Sequence, residues 1–233
     1  HLPDFPEAGL ELKTTGVLHG QKQEFLAKER LVLTLINPPA LGAEADWESS
    51  TFLMKCRLIL ILFYLYEKDV PEIHRRFVDE PRLLEVLNLE PQYLTQIVKD
   101  WEFIRDKCRD RLAHELSEGD TTYLKACRKG PGGEGEALVD QGPGVPGAKR
   151  RAFSFPASFV SRLLGAPNDN APTLVDASNE TVEESAQTKL SPWIGLSVEE
   201  ISRKVDFNSQ AKNKNYHLVN KLLTGTTQKP TEF

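Results

Sequence analysis

Apolar and polar positions follow three patterns along this chain. Leu10–Thr15 alternates, placing Leu10 and Leu12 on one side and Glu11 and Lys13 on the other, and predicts a strand. Gly16–Gln21 reads as the turn after it. Glu29–Asn37 reads as a second strand around Leu31, Leu33 and Leu35, stopped by Pro38-Pro39. Leu58–Tyr66 is apolar without a break, so it predicts a central strand covered on both faces. Leu83–Leu87, Thr121–Cys127 and Ala152–Phe155 read as shorter strands. The helical period runs from Pro91, suited to a first helical position, to about Leu116, with Leu94, Ile97, Val98, Trp101, Ile104 and Cys108 forming a core stripe. Trp47–Met54, with Lys55 at its end, reads as a short helical turn, and Ala157–Leu164 as a helix. Strands with interspersed helices predict a mixed α/β core.

Two stretches interrupt these patterns. Gly130–Gly147 holds seven Gly and three Pro and reads as a flexible loop. Gly165–Thr188 is acidic and rich in small residues, as a linker is. Beyond it, Leu196–Val205 and Tyr216–Leu223 read as two helices of something else. The expected division is therefore a domain over 1–165, a linker over 166–190 and a helical segment over 191–233. With no initiator Met and an abrupt start at His1, the sequence reads as an excerpt from a longer chain.

Composition narrows the setting. The 233 residues and 39% hydrophobic content can fill a core, which excludes collagen, coiled coil and wholesale disorder. The longest apolar run is nine residues, against about twenty for a membrane helix, so no membrane association is expected. Cys56, Cys108 and Cys127 are few and scattered. Together with the lack of a visible secretory signal, they suit reduced thiols in a cytoplasmic protein rather than a disulfide frame or zinc site. The net charge of −5 does not suggest nucleic-acid binding, although binding follows the local patch rather than the sum.

One constellation has a chemical logic. Glu11 and Lys13 share a strand face, and Pro6 and Gly9 break the chain so that Asp4 can return beside Glu11. Two carboxylates with waters and phosphate oxygens suit Mg²⁺. A lysine beside them can orient or help deprotonate an attacking water in phosphodiester hydrolysis. An acid-x-Lys triplet is expected by chance in a chain this rich in acids and lysines, so its context has to carry the assignment.

The context is a resemblance. Asp-Phe-Pro-Glu-Ala-Gly-Leu-Glu-Leu-Lys-Thr-Thr resembles the central motif of MutH, the mismatch-repair nicking endonuclease, and of the GATC-cutting type II restriction enzymes related to it, all of the PD-(D/E)xK superfamily. The likeness continues through Lys28–Asn37, Trp47–Lys55, His114–Gly119 and Arg151–Leu164, and the restriction-enzyme branch is the closer. It implies a restriction-endonuclease-like mixed central sheet flanked by helices. It also implies Mg²⁺ at Asp4 and Glu11, a catalytic Lys13 with Lys55 as second active-site lysine, and double-stranded DNA as partner. Arg128 matches an arginine that reads the major groove, and Lys125, Lys129, Lys149, Arg150 and Arg151 around it form the most basic stretch, a face for phosphates. Ser154 stands where the nickase branch carries a tyrosine. His114 is read as a helix-end hydrogen-bonding residue.

The family's upstream helices, with one carboxylate and a DNA-touching Lys-Gly pair, would precede His1. Residues 196–223 resemble that helical opening seen a second time, with Leu222 or a neighbour, beside Lys221, where a carboxylate belongs. This implies the start of a non-catalytic, MutH-like DNA-binding domain, and through it a homodimer or two-site DNA looping. The implied activity is a Mg²⁺-dependent restriction endonuclease. The alternatives are a mismatch-repair nickase and a DNA-binding regulatory module with a vestigial nuclease motif.

Overall fold

The computed structural model describes residues 2–21, 24–78, 81–130, 138–165, 187–205, 207 and 214–224. Its centre is a pair of parallel strands, β1 (Leu10–His19) and β4 (Leu58–Leu65), in register from Leu10 opposite Leu58 to Val17 opposite Leu65. Antiparallel β2 (Phe25–Ala27) flanks β1 and antiparallel β5 (Arg82–Glu85) flanks β4, which makes a four-stranded mixed sheet. A second, antiparallel sheet has β7 (Arg151–Phe155) between β3 (Leu31–Ile36) and β6 (Lys125–Arg128). Helices α1 (Pro38–Gly42), α2 (Thr51–Cys56), α3 (Pro91–Arg109) and α4 (Ala157–Gly165) complete a mixed α/β, restriction-endonuclease-like fold.

The alternation of β1 and β4 divides the interior in two. Ile59, Ile61, Phe63 and Val17 face a core built with Phe52 of α2, Trp101 and Ile104 of α3, Phe155 of β7 and Phe159 of α4. Leu10, Leu12, Leu58, Leu60 and Leu62 face the other way, onto Val198 and Ile201 of α5 (Val198–Lys204) and Leu218 and Val219 of α6 (Lys214–Thr224). This double cover explains the uninterrupted apolar run of β4. It also changes the picture of the C-terminal segment. The described parts of 187–224 do not stand apart from the sheet; they close its second face. The Gly195 N–H donates to the Phe77 carbonyl at 2.7 Å, and Ser197 bridges to Arg76. Most of the expected linker, 166–186, lies outside the described residues.

Several element ends differ from the sequence reading for local reasons. Gly16 lies inside β1 rather than in a turn, and a Cβ there would come within 3.2 Å of the Tyr64 ring. The proline pair does end β3, but it also opens α1, where the Asn37 side chain accepts from the Ala40 N–H at 3.4 Å. Helix α2 starts later than expected because Ser50 caps it, its Oγ accepting from the Leu53 N–H at 3.2 Å. Helix α3 stops at Arg109. Arg111 takes a left-handed conformation (φ 63°), and its guanidinium donates to the carbonyls of Gln141 (3.0 Å) and Pro143 (2.7 Å). Strand β6 begins at Lys125, since the N–H groups of residues 122–124 are taken by Asp100 instead of a ladder. Of the Gly/Pro loop, 131–137 lies outside the described residues, and Val139 and Ala148 pair across the rest. Among the described residues no helix is long and apolar enough to cross a membrane.

All three cysteines are free and buried. Burial pushes the thiols of Cys56 and Cys108 up to about 12. In native protein at about pH 8 all three are expected to resist DTNB while urea-unfolded chain reacts fully, because burial keeps the reagent out and, at Cys56 and Cys108, disfavours the reactive thiolate. Fast labelling of one thiol in the native state would show that its element opens readily.

Candidate active site

The N-terminal ends of β1 and α2's last turn meet at one point. Residues Pro6–Ala8 form a 3₁₀ turn closed by Gly9 in the left-handed region (φ 61°), a conformation glycine adopts without penalty. The chain thereby doubles back, and Phe5 exchanges backbone hydrogen bonds with Leu10 at 2.9 and 3.1 Å. Asp4 and Glu11 become neighbours locked to each other's backbone. The Asp4 N–H donates to Glu11 Oε2 at 3.1 Å, and the Leu12 N–H donates to Asp4 Oδ2 at 3.1 Å.

Glu11 shares its strand face with the apolar core, opposite Ile59, and is only 1% exposed. Lys13, two residues along the same face, donates from Nζ to Glu11 Oε1. Lys55 of α2 brings its Nζ within 3.6 Å of the same oxygen. Burial holds the Glu11 carboxyl above its ordinary range. Lys13 opposes that rise, Asp4 adds to it, and Lys55 pulls against it more weakly. Asp4, Glu11 and Lys13 thus meet as the strand geometry predicts, and Lys55 joins them from α2.

They lie in a cleft of about 800 Å³ that also takes in β3, Lys129, Arg150 and Arg151. The donor set fits a hard divalent cation. The acids are carboxylates only, and Glu11 sits where added positive charge would offset its burial. Among the described residues no cluster of three His, Cys, Asp or Glu forms. Two carboxylates suffice for Mg²⁺, which keeps several of its waters. Sequence reasoning missed Thr14, Thr34, Asn37, Tyr64, Glu72 and His217, which also line the cleft. Thr14 adjoins the motif. His217 comes from the C-terminal helix, more than two hundred residues on from the motif, and no local signal marks it.

The basic stretch separates into two kinds of residue. Lys129, Lys149 and Arg150 are exposed, as is Arg128 at the end of β6. The Lys129 N–H donates to the Arg150 carbonyl at 2.9 Å, tying the two chain segments together. Lys125 and Arg151, expected with the other three around Arg128 as a face for phosphates, direct their cationic heads to backbone carbonyls instead. Lys125 Nζ donates to the carbonyls of Glu118 and Thr121. Arg151 is buried, and its guanidinium donates to the carbonyls of Ala126 (2.7 Å) and Leu116. Burial lowers its pKa from the ordinary guanidinium value. Ser154 is buried in β7, in register between Val32 and Lys125, and His114 meets Gln141 Nε2 through Nδ1 at 3.1 Å.

The family model described as DNA mismatch repair enzyme MutH matches residues 1–100. The chain is also similar to the type II restriction enzyme Sau3AI of Staphylococcus aureus, 30% identical over 240 aligned positions that take in 99% of this chain. It spans 48% of that enzyme, about half its length.

The two kinds of basic residue are expected to respond differently to truncation. Arg151→Ala leaves two carbonyls without their donors and is expected to lower stability by about 2–4 kcal/mol in urea unfolding. Arg150→Ala is expected to leave the unfolding midpoint within about 0.5 kcal/mol of wild type, as exposed positions do.

Proposed function

We propose that this chain, MutH-like in sequence and restriction-endonuclease-like in fold, is the nuclease part of a type II restriction enzyme that hydrolyses phosphodiester bonds of double-stranded DNA at GATC-like sites with Mg²⁺. The observation that carries the reading is the meeting of Asp4, Glu11, Lys13 and Lys55 in a cleft whose lining also includes Lys129 and Arg150. Asp4 and Glu11 would hold the Mg²⁺, which when bound lowers the pKa of a water and stabilises charge on the phosphate. Lys13, kept against Glu11 by a charge-assisted hydrogen bond, orients the attacking water and assists its deprotonation. Lys55 faces the same oxygen from α2 and adds positive charge for the phosphate. Water attacks phosphorus and loses a proton to solvent, while the bond to the departing ester oxygen breaks and that oxygen takes up a proton from solvent.

Arg128 reads a base edge in the major groove, where arginine pairs bidentately with guanine O6 and N7. Lys129, Lys149 and Arg150 contact phosphates, while Lys125 and Arg151 brace the strands that present them. Residues 191–233 would open a second, non-catalytic MutH-like domain docked against the first through α5 and α6, giving the protein a second DNA site for looping or dimerisation in the cytoplasm. The match to the MutH family model also favours a second reading, a mismatch-repair nickase. Ser154 in place of that branch's tyrosine, and the likeness of nearly the whole chain to a restriction enzyme, weigh against it.

The test uses the full-length protein and its Glu11→Ala form on supercoiled plasmid, with and without Mg²⁺, followed by sequencing of the ends. Mg²⁺-dependent double-strand cuts at one short motif are expected, falling at least about a hundredfold in the variant. Single nicks would move the protein to the nickase reading. DNA binding without cutting by either protein would leave a regulatory module with a vestigial motif.

A further inference from the structure

Asp100 sits in the middle of α3 and is 3% exposed, yet it belongs to neither the apolar stripe nor the cleft. Its carboxylate collects the N–H groups of three consecutive residues: Thr122 at 3.1 Å to each oxygen, Tyr123 at 2.6 Å and Leu124 at 2.9 Å to Oδ2. Gln96 Nε2, one helical turn earlier, adds a fourth donor to Oδ1 at 2.9 Å. A carboxylate has two oxygens and about four acceptor positions, and here they all point at donors.

The segment held in this way leads directly into β6. Among the described residues that strand lies at the edge of its sheet, with β7 as its one ladder neighbour, and is four residues long. Its four residues pair with β7 on one side, from Lys125 opposite Ser154 to Arg128 opposite Arg151. Its far end has its own tether: the Arg128 N–H donates to Glu118 Oε1 at 3.2 Å, and Glu118 is itself paired with Arg30. The near end is anchored by Asp100 to a helix whose flanking Trp101 and Ile97 are fully buried. Base readout by arginine demands placement within about 0.5 Å, so a loose strand degrades discrimination before it degrades phosphate contact.

We infer that Asp100 is a positioning residue for sequence recognition: it pins the entry of β6 to α3 and so fixes where Arg128 meets the DNA. This rests on the proposed base-reading role of Arg128. An amide of the same size loses the charge that strengthens these bonds and, with its oxygen at the Oδ2 position, turns an NH₂ donor toward Gln96 Nε2 and the Thr122 N–H. A brace that only holds the fold would instead lower the melting temperature and slow cutting at every site in the same proportion.

The experiment measures kcat/KM at the principal mapped site and at sites differing from it by one base pair. It uses the full-length wild type, Asp100→Asn, Arg128→Ala and the double variant, with thermal melts of each. The expected result is a fall in the cognate to near-cognate ratio of about tenfold or more in both single variants, with no further fall in the double variant. Should the amide variant not fold, Asp100→Glu keeps the charge, displaces it by one methylene and is read against the same expectation. If Arg128→Ala changes the ratio and the Asp100 variant changes only rate and melting temperature, the positioning role is overturned and the base-reading role stands. If Arg128→Ala leaves the ratio unchanged, the base-reading role falls and the inference falls with it.

Discussion

Glu11 is a carboxylate on the core-facing side of a central strand, opposite Ile59, and the architecture around it compensates for that position. Taking an ion out of water costs several kcal/mol even after relaxation, and the cost is recovered only if charges and donors surround it closely. Here they come from three parts of the chain. Lys13 is two residues along the strand, Lys55 is on the last turn of a helix that ends where β4 begins, and the Asp4 backbone N–H arrives through a glycine-dependent reversal. The raised pKa of Glu11 shows that burial still outweighs these partners. Added positive charge would offset that burial, as the proposed Mg²⁺ would.

The strand pair that carries Glu11 is held from both faces, and this gives the site a rigid floor. One face packs on α2, α3 and the second sheet, the other on α5 and α6. Lys55 keeps its place because α2 is capped by Ser50 and because Phe52 and Leu53, from the same short helix, lie in the core. The C-terminal segment serves the same floor. Its leucine and valine side chains shield Leu10 and Leu12, the residues that alternate with Glu11 and Lys13.

Beyond the carboxylates, charged side chains divide by burial rather than by sign. Arg151, Lys125 and Asp100 spend their polar capacity on backbone groups of the strands and loops around β6, where an unpaired carbonyl or N–H would be costly. Lys129, Lys149 and Arg150 remain exposed, Lys129 and Arg150 line the cleft, and contacts made by such exposed cations are readily screened by salt. The overall negative charge therefore says little about the cleft, where local cations set the field.

Much of the site could be read from the chain alone because its geometry is short-range. The period of a strand puts Glu11 and Lys13 on one face, Gly9 and Pro6 allow the reversal that returns Asp4, and the unbroken apolar run of β4 requires cover on both sides. These follow from backbone stereochemistry within a dozen residues or from hydrophobicity, and the structure matches each. Helix and strand ends were less legible. The left-handed Arg111 depends on carbonyls some thirty residues away, and the late start of β6 on Asp100 of another element. Sequence could not separate Lys129, Lys149 and Arg150 from Lys125 and Arg151, since a basic residue is the same letter whether it faces solvent or a carbonyl. Nor could it bring His217 to the cleft or place α5 and α6 on the sheet. Those outcomes depend on which buried surfaces remain uncovered once the strands have paired, and only the folded chain decides that.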